Sequence, residues 1–115
     1  MYADLPPPQV QCVAQAIYHE ARGEPDAGKR AVGHVIMNRS KVRKITPCQV
    51  IKQPNQFHFK VRVSYSGADW NKALQFAKNL GSDPTGGAHY FHSKRVNPNW
   101  GKRLVTVIGN HLFYR

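Results

Sequence analysis

Apolar residues recur at helical spacing in four stretches of the chain and alternate with polar ones near its end. Val10, Val13, Ala14, Ile17, Tyr18 and Ala21 follow one another at three- and four-residue intervals, which predicts a first helix of three turns. Pro6, Pro7 and Pro8 suit its start, where a missing N–H costs nothing, and Gly23 stops it. A second helix begins at Pro25, with Ala31, Val32, Val35 and Ile36 as an apolar stripe running towards Arg39. Thr46-Pro47-Cys48-Gln49 has the form of a capping box with proline at the first helical position, so a short third helix covers residues 47–52. Trp70, Ala73, Leu74, Ala77 and Leu80 predict a fourth helix, ended by Gly81.

The remaining segments are short and extended. Residues 57–59 and 61–65 alternate in polarity, and residues 89–92 form a candidate strand. Residues 104–108 and 111–114 flank Gly109-Asn110, a two-residue hairpin signal. No linker divides the sequence, so a single domain over residues 1–115 is expected. Its fold class is α+β: mainly helical, with a small antiparallel hairpin or sheet late in the chain. No apolar run approaches the roughly 18 residues that span a bilayer. The start, Met1 to Pro8, lacks the basic end and apolar core of a signal peptide.

Charge narrows the partner more than the chemistry. Seventeen Lys and Arg against six Asp and Glu give a net charge of +11, which favours a polyanion: nucleic acid, anionic lipid or lipopolysaccharide, or an acidic wall polymer. The cations are spread in small groups, and each group taken alone is a solvated surface. With 41% apolar residues the chain is globular in composition, not disordered. Cys12 and Cys48 have no zinc-finger spacing. They can form one bridge outside a reducing cytosol or lie as two buried thiols, and composition does not choose between these.

The only glutamates are Glu20 and Glu24, both within His19-Glu-Ala-Arg-Gly-Glu-Pro25. Glu20 borders the apolar stripe of the first helix in its last turn. Unpaired carbonyls and partial desolvation there disfavour an ionised carboxylate, and a glutamate that keeps its proton near neutral pH is what a general acid requires. The competing reading is a surface pair with Arg22 or Lys29. Glu24, just before Pro25, suits the start of the second helix, with a supporting role at a site. Zinc-protease spacing is absent after His19-Glu20. The six histidines show no strong metal-ligand spacing, and neither a nucleophile elbow nor a phosphate loop occurs. No metal and no cofactor is expected.

Ala16-Ile-Tyr-His-Glu-Ala-Arg-Gly-Glu-Pro25, then Gly28, Ala31-Val32 and Val35-Ile-Met-Asn-Arg39, resembles the opening of the SleB/CwlJ family of cell-wall hydrolases. The similarity continues through Pro47-Cys-Gln-Val-Ile51, Gln56-Phe57, Gly86-Gly-Ala-His-Tyr-Phe-His92 and Ile108-Gly-Asn-His-Leu-Phe-Tyr-Arg115. The resemblance implies a lysozyme-related, lytic-transglycosylase-like α+β fold that cleaves the glycan strands of peptidoglycan, with Glu20 as the catalytic acid. It also implies that Gln56, Phe57, Tyr90, His92, Asn110 and His111 belong to the groove. Taken alone, Phe57 suits a core, Asn110 suits a turn needing positive φ, and Asn38 can orient Glu20 or cap a turn. The family's paired cysteines imply a disulfide between Cys12 and Cys48. Departures occur at His58, Phe59 and Ser93. A short basic chain without an export signal or wall-binding domain resembles a phage lysin, released by a holin or carried by a virion, or else an excised domain.

Hydrolysis by two carboxylates needs a partner for Glu20, and the remaining acids have adequate roles as caps or turn residues. Lytic transglycosylation needs one carboxyl, so scarcity of acids favours it over muramidase-type hydrolysis. The expected partner is bacterial peptidoglycan, met at the cell wall or periplasm. Added to it are electrostatic contact with anionic outer-membrane or wall polymers, no specific nucleic acid, and a monomeric state. The rival from another class is a non-catalytic basic module that binds nucleic acid, lipopolysaccharide or cell wall through its cations and aromatic rings such as Phe57, Tyr65, Tyr90 and Trp100.

Overall fold

The computed structural model describes residues 5–53 and 65–115. Four helices come first: α1 (Pro7–Ala21), α2 (Asp26–Arg43), α3 (Pro47–Ile51) and α4 (Gly67–Lys78). Three strands follow: β1 (Tyr90–Ser93), β2 (Leu104–Ile108) and β3 (His111–Tyr114). This is the α+β class expected. The segments at 57–59 and 61–64, with Gln56, Phe57, His58 and Phe59, lie outside the described residues.

α1 starts on a proline, as its sequence requires, and buries Val10, Val13, Ala14, Ile17 and Ala21. It packs against α2, α3 and α4, so the larger core forms around it. The capping box of α3 is complete: the Thr46 hydroxyl accepts from the Gln49 N–H, and the Gln49 side chain accepts from the Thr46 N–H. A sulfur–sulfur bond joins Cys12 of α1 to Cys48 of α3. Five residues are too few for a helix to persist alone, and these ties hold α3 in place.

α2 departs from its expected form in two ways. It runs four residues past Arg39, with Lys41 and Arg43 placed where the negative end of the helix dipole favours cations. Lys44 closes it in the left-handed conformation at φ 57°. Its single apolar stripe proves to be two. Val32 and Ile36 enter the core around α1, whereas Ala31 and Val35 pack on Phe113 and Ala88 beneath the sheet. α2 is therefore the element shared by both layers. α4 ends at Lys78, two residues before Leu80. Leu80 is still buried, because the chain leaving the helix brings its side chain against α2 at Gly33. A Cβ at position 33 would stand 2.4 Å from the Leu80 Cδ2, so the close approach depends on glycine.

The sheet is antiparallel with order β1-β3-β2. Ile108 and His111 pair across Gly109-Asn110, which is the predicted hairpin. β3 is central and alternates: His111 and Phe113 are buried towards α2, while Leu112 and Tyr114 face the other way, half-buried.

Candidate active site

The end of α1 and the hairpin tip meet through a glutamate. After Ala21 the chain turns through Arg22 and Gly23, and Glu24 extends to the turn between β2 and β3. Its carboxylate accepts from the Asn110 backbone N–H at 2.7 Å and from the Asn110 side-chain amide at 3.0 Å. His111 Nδ1 stands 3.7 Å away, and both side chains are less than a tenth exposed. The α2 N-terminus has no side-chain cap, so Glu24 works across the fold rather than on the helix that follows it. Lys29 secures the approach by donating to the Glu24 carbonyl.

Gly109 makes this contact sterically possible. It has φ 56°, and a Cβ there would lie 2.3 Å from Glu24 Oε1. The positive φ of the turn is thus carried by Gly109, not by Asn110 as the turn reading supposed. Asn110 supplies two donors instead. Burial pushes the Glu24 carboxyl up, but the Asn110 hydrogen bonds and the neighbouring His111 and Lys29 outweigh it and hold the group below its ordinary range. Burial lowers the His111 imidazole, with Glu24 opposing and His92 adding to the shift. His111 is therefore neutral at pH 7, and its proximity to Glu24 is not an ion pair there.

These shifts predict the acid limb of stability. Below pH 6.5, the ordinary value of histidine, the unfolded chain binds a proton at His111 that the folded chain resists. Glu24 contributes stability in full above pH 4.5, and that contribution is lost as pH falls through its depressed folded value. Urea midpoints taken between about pH 8 and pH 3 should fall in these two stages. Glu24→Gln should lessen the second stage. A flat profile from neutrality to pH 5 would contradict a buried neutral His111.

Glu20 sits in the last turn of α1, half-buried. His19, just before it, shares a 2.7 Å hydrogen bond with the Tyr65 hydroxyl. Burial and then Arg22 lower His19, while burial and then Tyr18 raise Tyr65, so both are neutral at pH 7. Tyr18, Tyr65 and Trp70 pack edge-on or tilted around this pair, and the Arg22 guanidinium lies 4.6 Å over the Tyr18 ring. Sequence reasoning missed this aromatic wall. Trp70 had been absorbed into a helix stripe, and Tyr65 closed an alternating segment.

Asn38 lies elsewhere. Its amide donates to Asp83 Oδ2 at 3.0 Å and to the Ala88 carbonyl at 2.9 Å, which uses both of its hydrogens. Asp83 also accepts from the Thr85 N–H, the Thr85 hydroxyl and the Gly87 N–H. Burial raises the Asp83 carboxyl, yet those bonds prevail and hold it low. Asn38 thus shapes the loop that leads into β1. Tyr90 and His92 lie on the sheet face opposite His111, since Tyr90 pairs with Tyr114 and His92 with Leu112. Of the residues expected in one groove, then, Glu24, Asn110 and His111 are brought together. Tyr90 and His92 form a second group, and Gln56 and Phe57 lie outside the described residues. No group of three or more His, Cys, Asp or Glu gathers among the described residues.

Residues 23–114 match the cell wall hydrolase family. A spore cortex-lytic enzyme of Halalkalibacterium halodurans is 36% identical over 112 residues, covering 90% of this chain and 34% of that enzyme. Its counterpart in Oceanobacillus iheyensis is 32% identical, covering 90% of this chain and 40% of that protein. The chain therefore spans little more than a third of the length of these curated relatives. The catalytic domain of the Bacillus cereus SleB protein superposes with a TM-score of 0.75 at 32% identity, over 93% of this chain and 89% of that one. The catalytic domain of the germination-specific lytic transglycosylase SleB from Bacillus anthracis gives 0.78 at 30% identity, over 97% and 98%.

Proposed function

The chain belongs to the cell wall hydrolase family, and from that membership we propose that it cleaves the glycan strands of peptidoglycan by lytic transglycosylation, with Glu20 as the single acid and base. The likeness over nearly the whole length of a catalytic domain described as a lytic transglycosylase supports the reaction class. The observation that carries the choice of residue is the fate of the other carboxylates. Glu24 is bound to Asn110, Asp83 is held by Asn38, Thr85 and Gly87, and Asp26 pairs with Lys72 at 3.1 Å. All three are held below their ordinary values, which suits permanent anions and not proton donors. Glu20 stands half-buried in the last turn of α1, where partial desolvation and unpaired carbonyls disfavour an ionised carboxylate.

The steps balance with one carboxyl. Glu20 gives its proton to the glycosidic oxygen that leaves the anomeric carbon of a muramyl residue, and that carbon–oxygen bond breaks. The resulting carboxylate accepts the proton of the 6-hydroxyl of the same residue while that oxygen bonds to the anomeric carbon. Glu20 regains the proton it lent, no water is consumed, and the new end is a 1,6-anhydro sugar. Two-carboxylate hydrolysis would require a second acid beside the bond, and three of the candidates are committed elsewhere. The cell wall is the site of action on this reading.

Mass spectrometry of fragments released from purified sacculi tests the proposal. Anhydro ends are expected. Reducing ends would replace transglycosylation by hydrolysis, and release of no fragments would overturn the enzymatic reading.

A further inference from the structure

The sheet face turned away from α2 carries side chains that the reaction above does not use. His92, Leu112, Tyr114 and Val107 face outwards there, and with Lys94 and residues 96–100 they line a cavity of about 450 Å³. His92 stacks on Tyr114 with ring centroids 5.1 Å apart, and Trp100 stands edge-on to each at 5.3 Å. His92 Nδ1 donates to the Ser93 carbonyl at 2.7 Å, and Nε2 shares a hydrogen bond with the Tyr114 hydroxyl, also at 2.7 Å. These bonds fix the ring orientations. Lys102 Nζ lies 4.0 Å over the Tyr90 ring and 5.7 Å from the Trp100 ring, and Lys94 lines the cavity.

Two features say what fits this face. Trp100 and Val107 remain 36% and 47% exposed, so apolar surface is held open to solvent in a cavity that Asn97 and Asn99 also line. Such a surface suits a rigid ring with an apolar C–H face and an edge of hydroxyls, which a pyranose has. The charge is also one-sided. Residues 84–115 hold five Lys and Arg and no Asp or Glu, so the ligand is an anion.

We propose that this outer sheet face is an accessory glycan site that binds a carboxylate-bearing sugar, with Trp100 and Tyr114 stacking on the ring and Lys102 meeting the carboxylate. It rests on the reading of the chain as a peptidoglycan-cleaving enzyme and gives Tyr90 and His92 a place along the glycan strand. The sequence names Tyr90 and Trp100 only as rings of a non-catalytic binding module, since Trp100 and Lys102 come between strands and carry no periodic signal.

The test is a titration of the isotopically labelled full chain with the peptide-free disaccharide of N-acetylglucosamine and N-acetylmuramic acid, whose lactyl carboxylate is free, followed at the Trp100 indole N–H resonance. Chitotriose, which lacks a carboxylate, serves as the neutral probe. The anionic fragment should shift that resonance and bind about fivefold more tightly than chitotriose. Lys102→Glu, followed at the same resonance, and Trp100→Ala, followed at the Tyr114 backbone N–H, should each weaken its binding about tenfold. Both positions are exposed, and if one variant fails to fold the other decides. No shift at Trp100, equal affinity for the neutral probe, or unchanged binding by the variants overturns the site. So does a Trp100 response confined to phosphatidylglycerol vesicles. Dissolution of sacculi by the unmodified chain is measured in parallel. If sacculi dissolve without a Trp100 shift, the accessory site fails and the cleavage reading stands; a Trp100 shift without dissolution gives the reverse.

Discussion

Exchanging Glu20 for glutamine should lower the rate of fragment release from sacculi by roughly three orders of magnitude. The amide keeps the size and half-buried position of the side chain but has no proton to give the leaving oxygen and cannot take one from the attacking hydroxyl. Because the same group serves both steps, neither is spared. Glu20→Asp should be impaired less, by about a hundredfold, since retreat of the carboxyl by one methylene misplaces the proton by ~1 Å while keeping its chemistry. Neither change should move the unfolding midpoint by more than the ~0.5 kcal/mol usual for a substitution outside the core. Turnover by Glu20→Gln at the rate of the unmodified chain would remove the proposed acid. A large loss of stability would mean that Glu20 acts chiefly in holding the end of α1.

The contrast with Glu24 sharpens this expectation. Both glutamates stand in one five-residue stretch, yet they meet different surroundings. Glu24 spends its carboxylate on the Asn110 backbone and side chain, 86 residues away in sequence. Its loss should be read mainly in folding, through the register of the hairpin that Gly109 lets approach. Glu20→Gln should be read mainly in rate.

What the sequence disclosed was largely what local physics decides. The stripe of α1, the Thr46–Gln49 box and the Gly109-Asn110 turn each need only neighbours within a few residues, and each was legible. The catalytic role proposed for Glu20 rests on resemblance and on where Glu20 falls on its helix. Less visible were polar partnerships across long separations: Glu24 with Asn110, Asn38 with Asp83, and His19 with Tyr65. A hydrogen bond between distant side chains leaves no period in the chain. The two faces of α2 were hidden for a related reason, because adjacent stripes at 31/35 and 32/36 look like one wide stripe until a second layer is known to exist. Leu80 misled in the opposite direction: it matched helical spacing, yet it is buried from an extended segment.

Breaking the Cys12–Cys48 bond should produce the largest loss of stability of any change outside the core. The bond closes a loop of 36 residues, and releasing that constraint on the unfolded chain costs about 3–4 kcal/mol in the chain-entropy account. For a domain of this size the unfolding midpoint should fall by about 15 °C on reduction or in a Cys12→Ala/Cys48→Ala variant. The variant itself should not respond to reductant, which separates the bond from other effects of the reagent. Loss of the bond loosens α3 first, since the capping box and the hydrogen bond from the Cys48 N–H to Gln9 are then its main local ties. Cys12 lies eight residues before Glu20 on α1, about 12 Å along the axis. Well below the lowered midpoint, fragment release should therefore persist at close to the original rate. An unchanged midpoint would show that the helices around α1 hold the fold without the bond. The expected drop would tie full stability to an oxidising environment outside the cytosol, which is where a wall-cleaving enzyme meets its substrate.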